Sequence, residues 1–374
     1  MPQRVTAAVA HRGETGLSVE TVTLRDPGER DVVVEMDATA FCYSDWIAVR
    51  GDTGLPGLLP DPYPVVLGHS AVGRVVERGA DSRLAVGARV IVTATPECGE
   101  CFWCRSGRID QCEKLFEPAP VIGTLDDGRE VRAPGASATY AERSVIRDIQ
   151  VFPVHSDLPD SWLAMFGCGI ISGMGAVANV ARVERGSSVV VVGCGQEGLW
   201  MIQAARILGG SHIVAVDPLE ERRELALRVG ATAVADPGLV PSAEGDARVR
   251  DVVLTAPGGR GADYGFDAGG SVESVQQSFA LTRLGGVVTI TSYVTRDTSV
   301  SLPLFDLALR GRDLRSSQSG RLDMSRDLAR FLPWLESGAV DVDAMLGPAR
   351  PLASINDALA ASRDRTEITP ILTP

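Results

Sequence analysis

The sequence predicts an α/β protein with a β-rich domain and a second domain built on a doubly wound parallel sheet. The chain has 374 residues, and single hydrophobic cores usually split into two domains above roughly 250–300 residues. Residues 1 to 150 alternate short apolar segments with Gly and Pro, for example at 31–36 and 73–77, which is typical of strands and turns. From residue 187, continuous apolar runs alternate with helical patterns, as in parallel sheets covered on both faces.

Composition and charge favour a small-molecule partner. A hydrophobic content of 45% and a charged content of 22% are those of an ordinary globular protein. The net charge of −12 disfavours nucleic acid and anionic membranes, because both are polyanions. The N-terminus lacks a signal-peptide core, and no stretch reaches the roughly 18 apolar residues that span a bilayer. We therefore expect a cytoplasmic protein that binds neither nucleic acid nor membrane.

A cluster of four cysteines in the β-rich half indicates a structural metal. The cluster consists of Cys98, Cys101, Cys104 and Cys112, and four thiolates suit one tetrahedral zinc. Disulfides are the alternative, but this spacing is typical of a small loop around an ion. A reducing cytosol also keeps thiols available as ligands.

Three further residues form a candidate for a second metal site. Cys42, His69 and Cys168 would supply two thiolates and one imidazole, which leaves the fourth position of a tetrahedral zinc open, as in catalytic sites. The alternative for each cysteine is an inert place in the core. The hypothesis depends on the three residues as a set.

Strands and helices alternate through the second half of the chain. The predicted strands and helices are 187–192, 199–208, 212–216, 220–229, 232–235, 264–267, 272–284 and 287–291, in chain order. Such alternation indicates a doubly wound sheet.

The glycine-rich turn after the first of these strands predicts a dinucleotide site. It matches G-x-G-x-x-G with Gly193, Gly195, Gln196, Glu197 and Gly198, where glycines allow a tight turn and close approach to a pyrophosphate. A turn that serves packing alone is the alternative. We assign no chemistry to Cys194, the small residue inside the turn.

Asp217 predicts the preferred cofactor, since it ends the strand that follows the turn. An acidic residue there accepts hydrogen bonds from the adenosine ribose and repels a 2′-phosphate. We therefore predict NAD(H). NADP(H) stays open as the less favoured alternative, because the basic residues Arg222 and Arg223 lie nearby in the sequence.

Taken together, these motifs resemble the zinc-containing medium-chain alcohol dehydrogenase/reductase family over nearly the whole chain and in the family's order. The resemblance implies a GroES-like catalytic domain at 1–168 and 296–374, and a Rossmann domain at 169–295. It also implies two zinc ions per chain, one catalytic on Cys42, His69 and Cys168 and one structural on the four-cysteine cluster. Dimers or tetramers are implied, with the strand at 287–291 as a possible pairing edge.

The resemblance also implies a reaction. Zinc would act as a Lewis acid on the oxygen of an alcohol or carbonyl substrate, while the nicotinamide exchanges hydride with the adjacent carbon. Ser44 resembles the hydroxyl that passes the alcohol proton onward. Asp45 would hold the far nitrogen of His69, as carboxylates behind metal ligands do. A strand-end hydroxyl and an ordinary turn carboxylate are the alternatives for these two residues.

Some positions depart from the family pattern. Ser70 replaces a glutamate usual near the zinc, and Ile47 replaces a relay histidine. Tyr43 and Thr369 stand where arginines often hold the cofactor, so Tyr43 is expected at the pyrophosphate with a weaker grip. The expected catalytic residues are therefore Ser44, Asp45 and Ser70.

The substrate pocket is expected to be wide. Ala94 falls where the family often has a bulky aromatic, which favours a substrate larger than ethanol. Trp46, Ile47 and Tyr140 are expected as further pocket walls. Two other functions stay open: an NAD(P)H-dependent reductase of an activated C=N or C=C bond, favoured by Ser70 and Ile47, and a non-catalytic nucleotide-binding relative, since fold alone does not guarantee chemistry.

Overall fold

The computed structural model describes residues 3–49, 63–237, 259–291 and 298–374. The chain divides into two compact units, one formed by Met1–Cys168 with Leu346–Pro374 and the other by Gly169–Met345. The expected second boundary at 295–296 lies outside the described residues. The chain returns to the first unit only at Leu346, because the segment before it adds a strand and helices to the second unit.

The N-terminal part of the first unit consists mainly of strands. Its strands β1–β10 are Arg4–Ala10, Leu17–Leu24, Asp31–Ala40, Val65–Val66, Ala71–Arg78, Arg89–Val92, Val121–Leu125, Glu130–Arg132, Arg143–Arg147 and Val151–Pro153. Its helices α1–α3 are Tyr43–Val49, Phe102–Arg105 and Asp160–Ala164, with 3-10 turns at Ile109–Gln111, Glu113–Phe116, Pro134–Ala136 and Asp148–Gln150. These bounds confirm the β-rich character predicted for this half.

The strands form a closed barrel and an adjoining sheet. The barrel order is β1-β2-β7-β8-β4, and the sheet contains β10-β6-β5-β3, with β9 also paired to β3. Apolar residues of the barrel strands, such as Val9, Val22 and Ile122, are fully or almost fully buried in one cluster. Antiparallel strands with one buried face explain the alternating sequence pattern of this half.

The second unit is a doubly wound α/β fold. After π-helical turns at Phe166–Ile170 and Ala176–Ala181, which flank α4 (Ile171–Gly175), strands β11–β16 are Ser188–Val192, His212–Val216, Ala233–Ala235, Ala262–Asp267, Thr282–Ile290 and Asp313–Ser316. Helices α5–α9 are Gln196–Ile207, Glu220–Val229, Val272–Leu281, Leu304–Ala308 and Met324–Glu336, with 3-10 turns at Gln318–Arg321 and Asp343–Met345. All strand pairs are parallel.

The strand order of this sheet is β13-β12-β11-β14-β15-β16, the 3-2-1-4-5-6 order of dinucleotide-binding sheets. All five residues of β11 are buried, as expected for a central parallel strand. The helix predicted at 272–284 ends at Leu281, because Thr282 turns to an extended conformation and begins β15. The strand at 287–291 is not the edge, since β16 pairs with its outer side.

The C-terminal segment completes the first unit. Strands β17 (Leu346–Pro351) and β18 (Thr369–Thr373) are parallel, and β18 pairs with β3, while a 3-10 turn at Leu352–Ser354 leads into α10 (Ile355–Arg363). Ile355 and Leu359 of α10 join the apolar cluster of the barrel. Among the described residues, no helix has the length and hydropathy needed to cross a membrane.

Candidate metal and cofactor sites

Cys42, His69 and Cys168 come together in the first unit. One ligand atom from each lies within 4.8 Å of the others, and the two sulfur atoms are 3.9 Å apart. Two thiolates on one tetrahedral zinc, each about 2.3 Å from the metal, would be about 3.8 Å apart. The three residues therefore fit a zinc ion and supply three ligands, which leaves a fourth position for another molecule.

Two glycines allow these ligands to approach each other. Gly68 has φ +88°, and a Cβ there would lie 2.5 Å from the Thr139 hydroxyl oxygen and 2.8 Å from the Tyr140 ring. A Cβ on Gly167 would lie 2.1 Å from the carbonyl oxygen of Val92. Since Gly68 and Gly167 directly precede His69 and Cys168, side chains at these positions would push the ligands apart.

Asp45 binds the His69 imidazole and three further groups near it. One carboxylate oxygen lies 3.3 Å from His69 Nδ1 and accepts the Gly68 N–H at 3.4 Å. The other accepts the Tyr140 hydroxyl at 2.7 Å and the Cys42 N–H at 3.4 Å. Asp45 is buried, with 4% exposure. This arrangement leaves Nε2 of His69 for a metal, and Asp45 has the supporting place that the sequence predicted.

The charges of the site suit a cation. The hydrogen bond with Cys168 lowers the pKa of Cys42 well below its usual value, against burial, and His69 adds to this effect. Burial raises the pKa of Asp45, but His69, Tyr140 and the Gly68 N–H together bring it below its usual value. Burial lowers the pKa of His69, whereas Asp45 and Cys42 raise it well above its usual value. The site is therefore a buried anionic cluster that attracts positive charge.

The two serines of the predicted site have different surroundings. The Ser44 hydroxyl donates to the Cys42 sulfur at 3.1 Å, so it lies next to the metal ligands as expected. Ser70 is buried, and its hydroxyl donates to the Ala164 carbonyl at 2.6 Å. Ser70 thus ties the start of β5 to α3, close to Cys168, and its hydroxyl is engaged by the backbone.

The expectation that Tyr140 lines a substrate pocket is not what the structure shows. Its side chain has 0% exposure, the ring stacks on Phe41, and the hydroxyl binds Asp45. A residue this completely enclosed supports the metal ligands from behind. Its role was missed because 95 residues separate it from Asp45, and no local sequence pattern reports that contact.

The other expected pocket residues are at least partly accessible. Trp46 and Ile47 are half-buried on α1, and the Arg363 guanidinium lies 5.9 Å from the Trp46 ring. Ala94 is half-buried after β6. The β5–β6 ladder ends at the pair Ala71 and Val92, and Ala94 lies in a bend two residues beyond it. Tyr43, the predicted pyrophosphate contact, is exposed at the start of α1.

The four-cysteine cluster also has the geometry of a zinc site. The sulfur atoms of Cys98, Cys101, Cys104 and Cys112 lie within 4.8 Å of one another, and those of Cys98 and Cys104 are 3.8 Å apart. All seven cysteines of the chain are free. Disulfides, the alternative considered from the sequence, are therefore absent here.

Backbone N–H groups around this cluster favour thiolates. The Cys98 sulfur accepts the Cys101 N–H, and the Cys101 sulfur accepts the Cys104 N–H, each at 3.4 Å. Burial raises the pKa of Cys101, but the N–H groups of Cys104 and Glu113, together with the Cys104 and Cys98 side chains, bring it to about 6. Burial raises the pKa values of Cys104 and Cys112. Thiolates are the form that binds metal, so Cys101 is the ligand of this loop that is most readily prepared for a cation.

The glycine-rich turn of the second unit fits a pyrophosphate. Gly193 has φ +98°, and a Cβ on Gly198 would lie 1.9 Å from the Gly193 carbonyl oxygen. By contrast, a Cβ on Gly195 would meet no atom of the described residues within 4 Å, and Gly195 precedes α5. The first and third glycines thus hold the turn against the helix, and the second leaves open space at a helix N-terminus, where phosphates bind.

Asp217 braces this turn. Its carboxylate accepts the Cys194 N–H at 2.7 Å and the Leu219 N–H at 2.9 Å. Arg223 donates to the carbonyl oxygens of Asp217 and Pro218, and Arg222 is buried. The Arg223 guanidinium is thus engaged by backbone carbonyl oxygens. Arg223 is one of the two arginines that kept NADP(H) open as an alternative.

The two polar residues of the turn lie on α5. Gln196 begins the helix, and its side chain lies against Gly169. The Glu197 carboxylate lies 3.1 Å from the Thr291 hydroxyl oxygen, just beyond the carboxyl end of β15. Thr291 had not been predicted at the site. Thr291 directly follows β15 in the chain, and no local sequence pattern predicts its contact with Glu197.

Family comparisons agree with this combination of a metal centre and a nucleotide fold. Residues 28–160 match the alcohol dehydrogenase GroES-like domain, and residues 198–337 match the zinc-binding dehydrogenase family. The two matches cover both units, and they define a zinc-binding oxidoreductase.

Relatives and solved structures extend the similarity over the whole chain. The S-(hydroxymethyl)glutathione dehydrogenase of Paracoccus denitrificans is 30% identical, with 94% of this chain and 95% of that protein covered. The benzyl alcohol dehydrogenase of Acinetobacter calcoaceticus has a TM-score of 0.88 at 26% identity, with 99% of each chain covered. A Sinorhizobium meliloti 1021 structure bound to NADP has a TM-score of 0.77 at 26% identity, with 100% of each chain covered.

The chain belongs to the zinc-containing medium-chain alcohol dehydrogenase family. It is a zinc-dependent alcohol oxidoreductase. This confirms the fold class and the enzyme class predicted from the sequence, and it sets aside the non-catalytic alternative.

Proposed function

We propose that this protein transfers hydride between NAD(H) and an alcohol or carbonyl compound larger than ethanol, at a catalytic zinc held by Cys42, His69 and Cys168. The observation that carries the proposal is the close approach of these three ligands with Asp45 behind the imidazole. A second zinc on the four-cysteine cluster is proposed to have a structural role, because its four ligands leave no open position.

Each part of the site has a role in this reaction. When bound, zinc supplies Lewis acidity to the substrate oxygen, and the nicotinamide supplies or accepts the hydride. Ser44, whose hydroxyl already lies 3.1 Å from the Cys42 sulfur, is placed to exchange the substrate hydroxyl proton. Asp45 keeps the His69 ring in one orientation, and the thiolates of Cys42 and Cys168 balance the charge of the ion.

A matched pair of variants separates the two metals. Cys42→Ser should remove one zinc per chain and all turnover while NADH binding is kept, because the cofactor turn belongs to the other unit. Cys104→Ser should also remove one zinc, but mainly lower the thermal midpoint. Metal analysis, NADH titration and thermal unfolding measure these effects. Full turnover in Cys42→Ser, or wild-type protein without zinc, would contradict the proposal.

The proposed preference for NAD(H) depends on Asp217. Its carboxylate is fixed at the carboxyl end of β12, 2.7 Å from the Cys194 nitrogen, the position at which an acid accepts ribose hydroxyls. A fixed negative charge there repels a 2′-phosphate. Because one similar structure is bound to NADP, both cofactors belong in the test.

Asp217→Asn tests the charge with little change in shape, since the amide keeps an oxygen acceptor for one backbone N–H. We expect the ratio of kcat/KM for NAD⁺ over NADP⁺ to fall about tenfold, which corresponds to ~1.4 kcal/mol. Steady-state kinetics with both cofactors measure it. The control is Glu224→Gln, which removes an exposed charge from α6, the helix that follows Asp217 in the chain. It should leave the ratio unchanged. An unchanged ratio in Asp217→Asn would refute this role.

The proposed substrate size depends on Ala94. Ala94 is half-buried two residues beyond β6, and it stands where the family often has a bulky aromatic beside the substrate. A methyl group there leaves more space than an aromatic ring would. The alcohols named for similar proteins, including benzyl alcohol, are consistent with a substrate that uses this space.

Ala94→Phe should fill that space. We expect kcat/KM for benzyl alcohol to fall at least about tenfold relative to ethanol, the scale of steric discrimination in a pocket. The Ala94 backbone stays anchored because its carbonyl accepts the Gln150 amide at 2.9 Å. Ala94→Ser, a small change, serves as the control. Equal losses for both alcohols would show that Ala94 does not set substrate size.

We further propose a homodimer or homotetramer assembled through the edge of the parallel sheet, in the cytoplasm, where free thiols stay reduced. β16 is one of the two outermost strands of this sheet among the described residues, the other being β13. Leu304, Phe305 and Leu309, which precede this strand in the chain, are 74%, 58% and 73% exposed. Exposed apolar patches next to a sheet edge are typical of pairing surfaces.

Leu309→Asp should weaken this association because it introduces a charge into the apolar patch. Light scattering after size exclusion should show a smaller species at low micromolar concentration, with the zinc content unchanged. Val86→Asp, an equally exposed valine of the other unit, should keep the wild-type mass. A monomeric wild type, or an unchanged mass in Leu309→Asp, would exclude this edge as the interface.

A further inference from the structure

Tyr140 makes the shortest contact with the Asp45 carboxylate. Its hydroxyl donates to Oδ2 at 2.7 Å, whereas the Cys42 and Gly68 N–H groups donate at 3.4 Å. The opposite oxygen of Asp45 faces His69. The phenol therefore fixes the rotation of the carboxylate that presents an oxygen to the imidazole.

The phenol itself is rigidly held. Its ring stacks on Phe41, with centroids 5.5 Å apart and planes at 11°. Phe41 directly precedes Cys42, and its N–H donates to the Pro370 carbonyl of β18 at 2.9 Å. The residue before one metal ligand and the support of a second ligand are thus packed against each other, so a shift of the phenol ring would affect the positions of both ligands.

Water cannot replace this hydrogen bond. Tyr140 is 0% exposed and Asp45 is 4% exposed, and a buried carboxylate that loses a donor has a desolvation cost that solvent does not relieve. Among the described residues of the site, Asp45 is the carboxylate beside the ligands, since Ser70 stands where a glutamate is usual and points to the backbone. The orientation of the imidazole thus depends heavily on one acid and its phenol partner.

We propose that Tyr140 is a positioning residue for the catalytic zinc: its hydroxyl orients Asp45, which directs the proton of His69 to Nδ1 and leaves Nε2 for the metal. This inference rests on the proposed function of Cys42, His69 and Cys168 as a zinc site. It assigns to Tyr140 a part in metal retention, with no direct contact to substrate.

Tyr140→Phe tests the proposal, because it removes the hydroxyl and keeps the ring that stacks on Phe41. The measurement is zinc release to a chromogenic chelator, in which the catalytic phase is the one absent from Cys42→Ser. Carboxylates directly behind metal ligands change affinity about 10- to 100-fold. Tyr140 acts on His69 through Asp45 and not directly, so we expect a smaller effect. Tyr140→Phe should speed zinc release from the catalytic site about 3- to 10-fold and leave the rate of release from the four-cysteine cluster unchanged.

The matched control is Tyr264→Phe, which removes a phenol hydroxyl from the other unit, where it donates to the Arg182 carbonyl. It should release zinc from both sites at wild-type rates. A second readout is the visible absorption of cobalt bound at the catalytic site, which should shift in Tyr140→Phe because the ligand orientation changes. A double-mutant cycle with Asp45→Asn should show coupling, with a smaller effect of Tyr140→Phe in the Asn background.

Three outcomes would overturn the proposal. First, Tyr140→Phe could release zinc at the wild-type rate and show the wild-type cobalt spectrum. Second, zinc release could speed up equally at both sites, together with a lower urea midpoint of unfolding. Third, the effects of Tyr140→Phe and Asp45→Asn on the release rate could be additive. The last two would identify a merely structural phenol. Absence of the catalytic phase from the wild type itself would instead refute the proposed zinc site on which this inference rests.

Discussion

The structure of the catalytic half depends on satisfying one buried negative charge, the carboxylate of Asp45. A carboxylate removed from water must be matched by donors and positive charge, and four groups meet that need from three separate parts of the chain. The glycine before His69, the phenol of Tyr140 and the backbone of Cys42 all approach to within hydrogen-bond distance. Cys42 and His69 are held in place because they, and the Gly68 N–H beside His69, contact this buried carboxylate.

The same chemistry explains the different roles proposed for the two cysteine sites. The cysteines of the four-cysteine cluster come from a single short segment, and local N–H groups donate to the sulfurs of Cys98 and Cys101. Cys42, His69 and Cys168 come from distant segments, so their meeting depends on the barrel and on close approach at two glycines. A local loop closes fully around an ion, whereas ligands gathered from the fold can leave one position open for chemistry.

How much the sequence predicted follows from the range of the interactions. The four-cysteine cluster, the glycine turn and Asp217 lie in short segments whose spacing carries the proposed chemistry. In the structure the four sulfurs meet, the turn precedes a helix and Asp217 follows a strand. The helix 220–229 was also predicted with its observed bounds. Hydrophobic periodicity is a local property, so such elements can be read from local sequence.

Contacts between distant segments were not predictable in this way. Tyr140 was expected at the substrate because large aromatics often line pockets, but packing against Phe41 and the need of Asp45 for a donor enclosed it. The outer strand β16 was missed because its four residues are mostly exposed and polar, and so show no buried-strand pattern.

The central claim is that Cys42, His69 and Cys168 hold a zinc ion with an open position. Anomalous diffraction from crystals of the NAD⁺ complex, recorded on both sides of the zinc absorption edge, tests it most directly. The account predicts two zinc peaks per chain, one bound by four sulfurs and the other by two sulfurs and His69 Nε2 with a non-protein fourth ligand. A single peak at the four-cysteine cluster, or a catalytic peak ligated through His69 Nδ1, would contradict it.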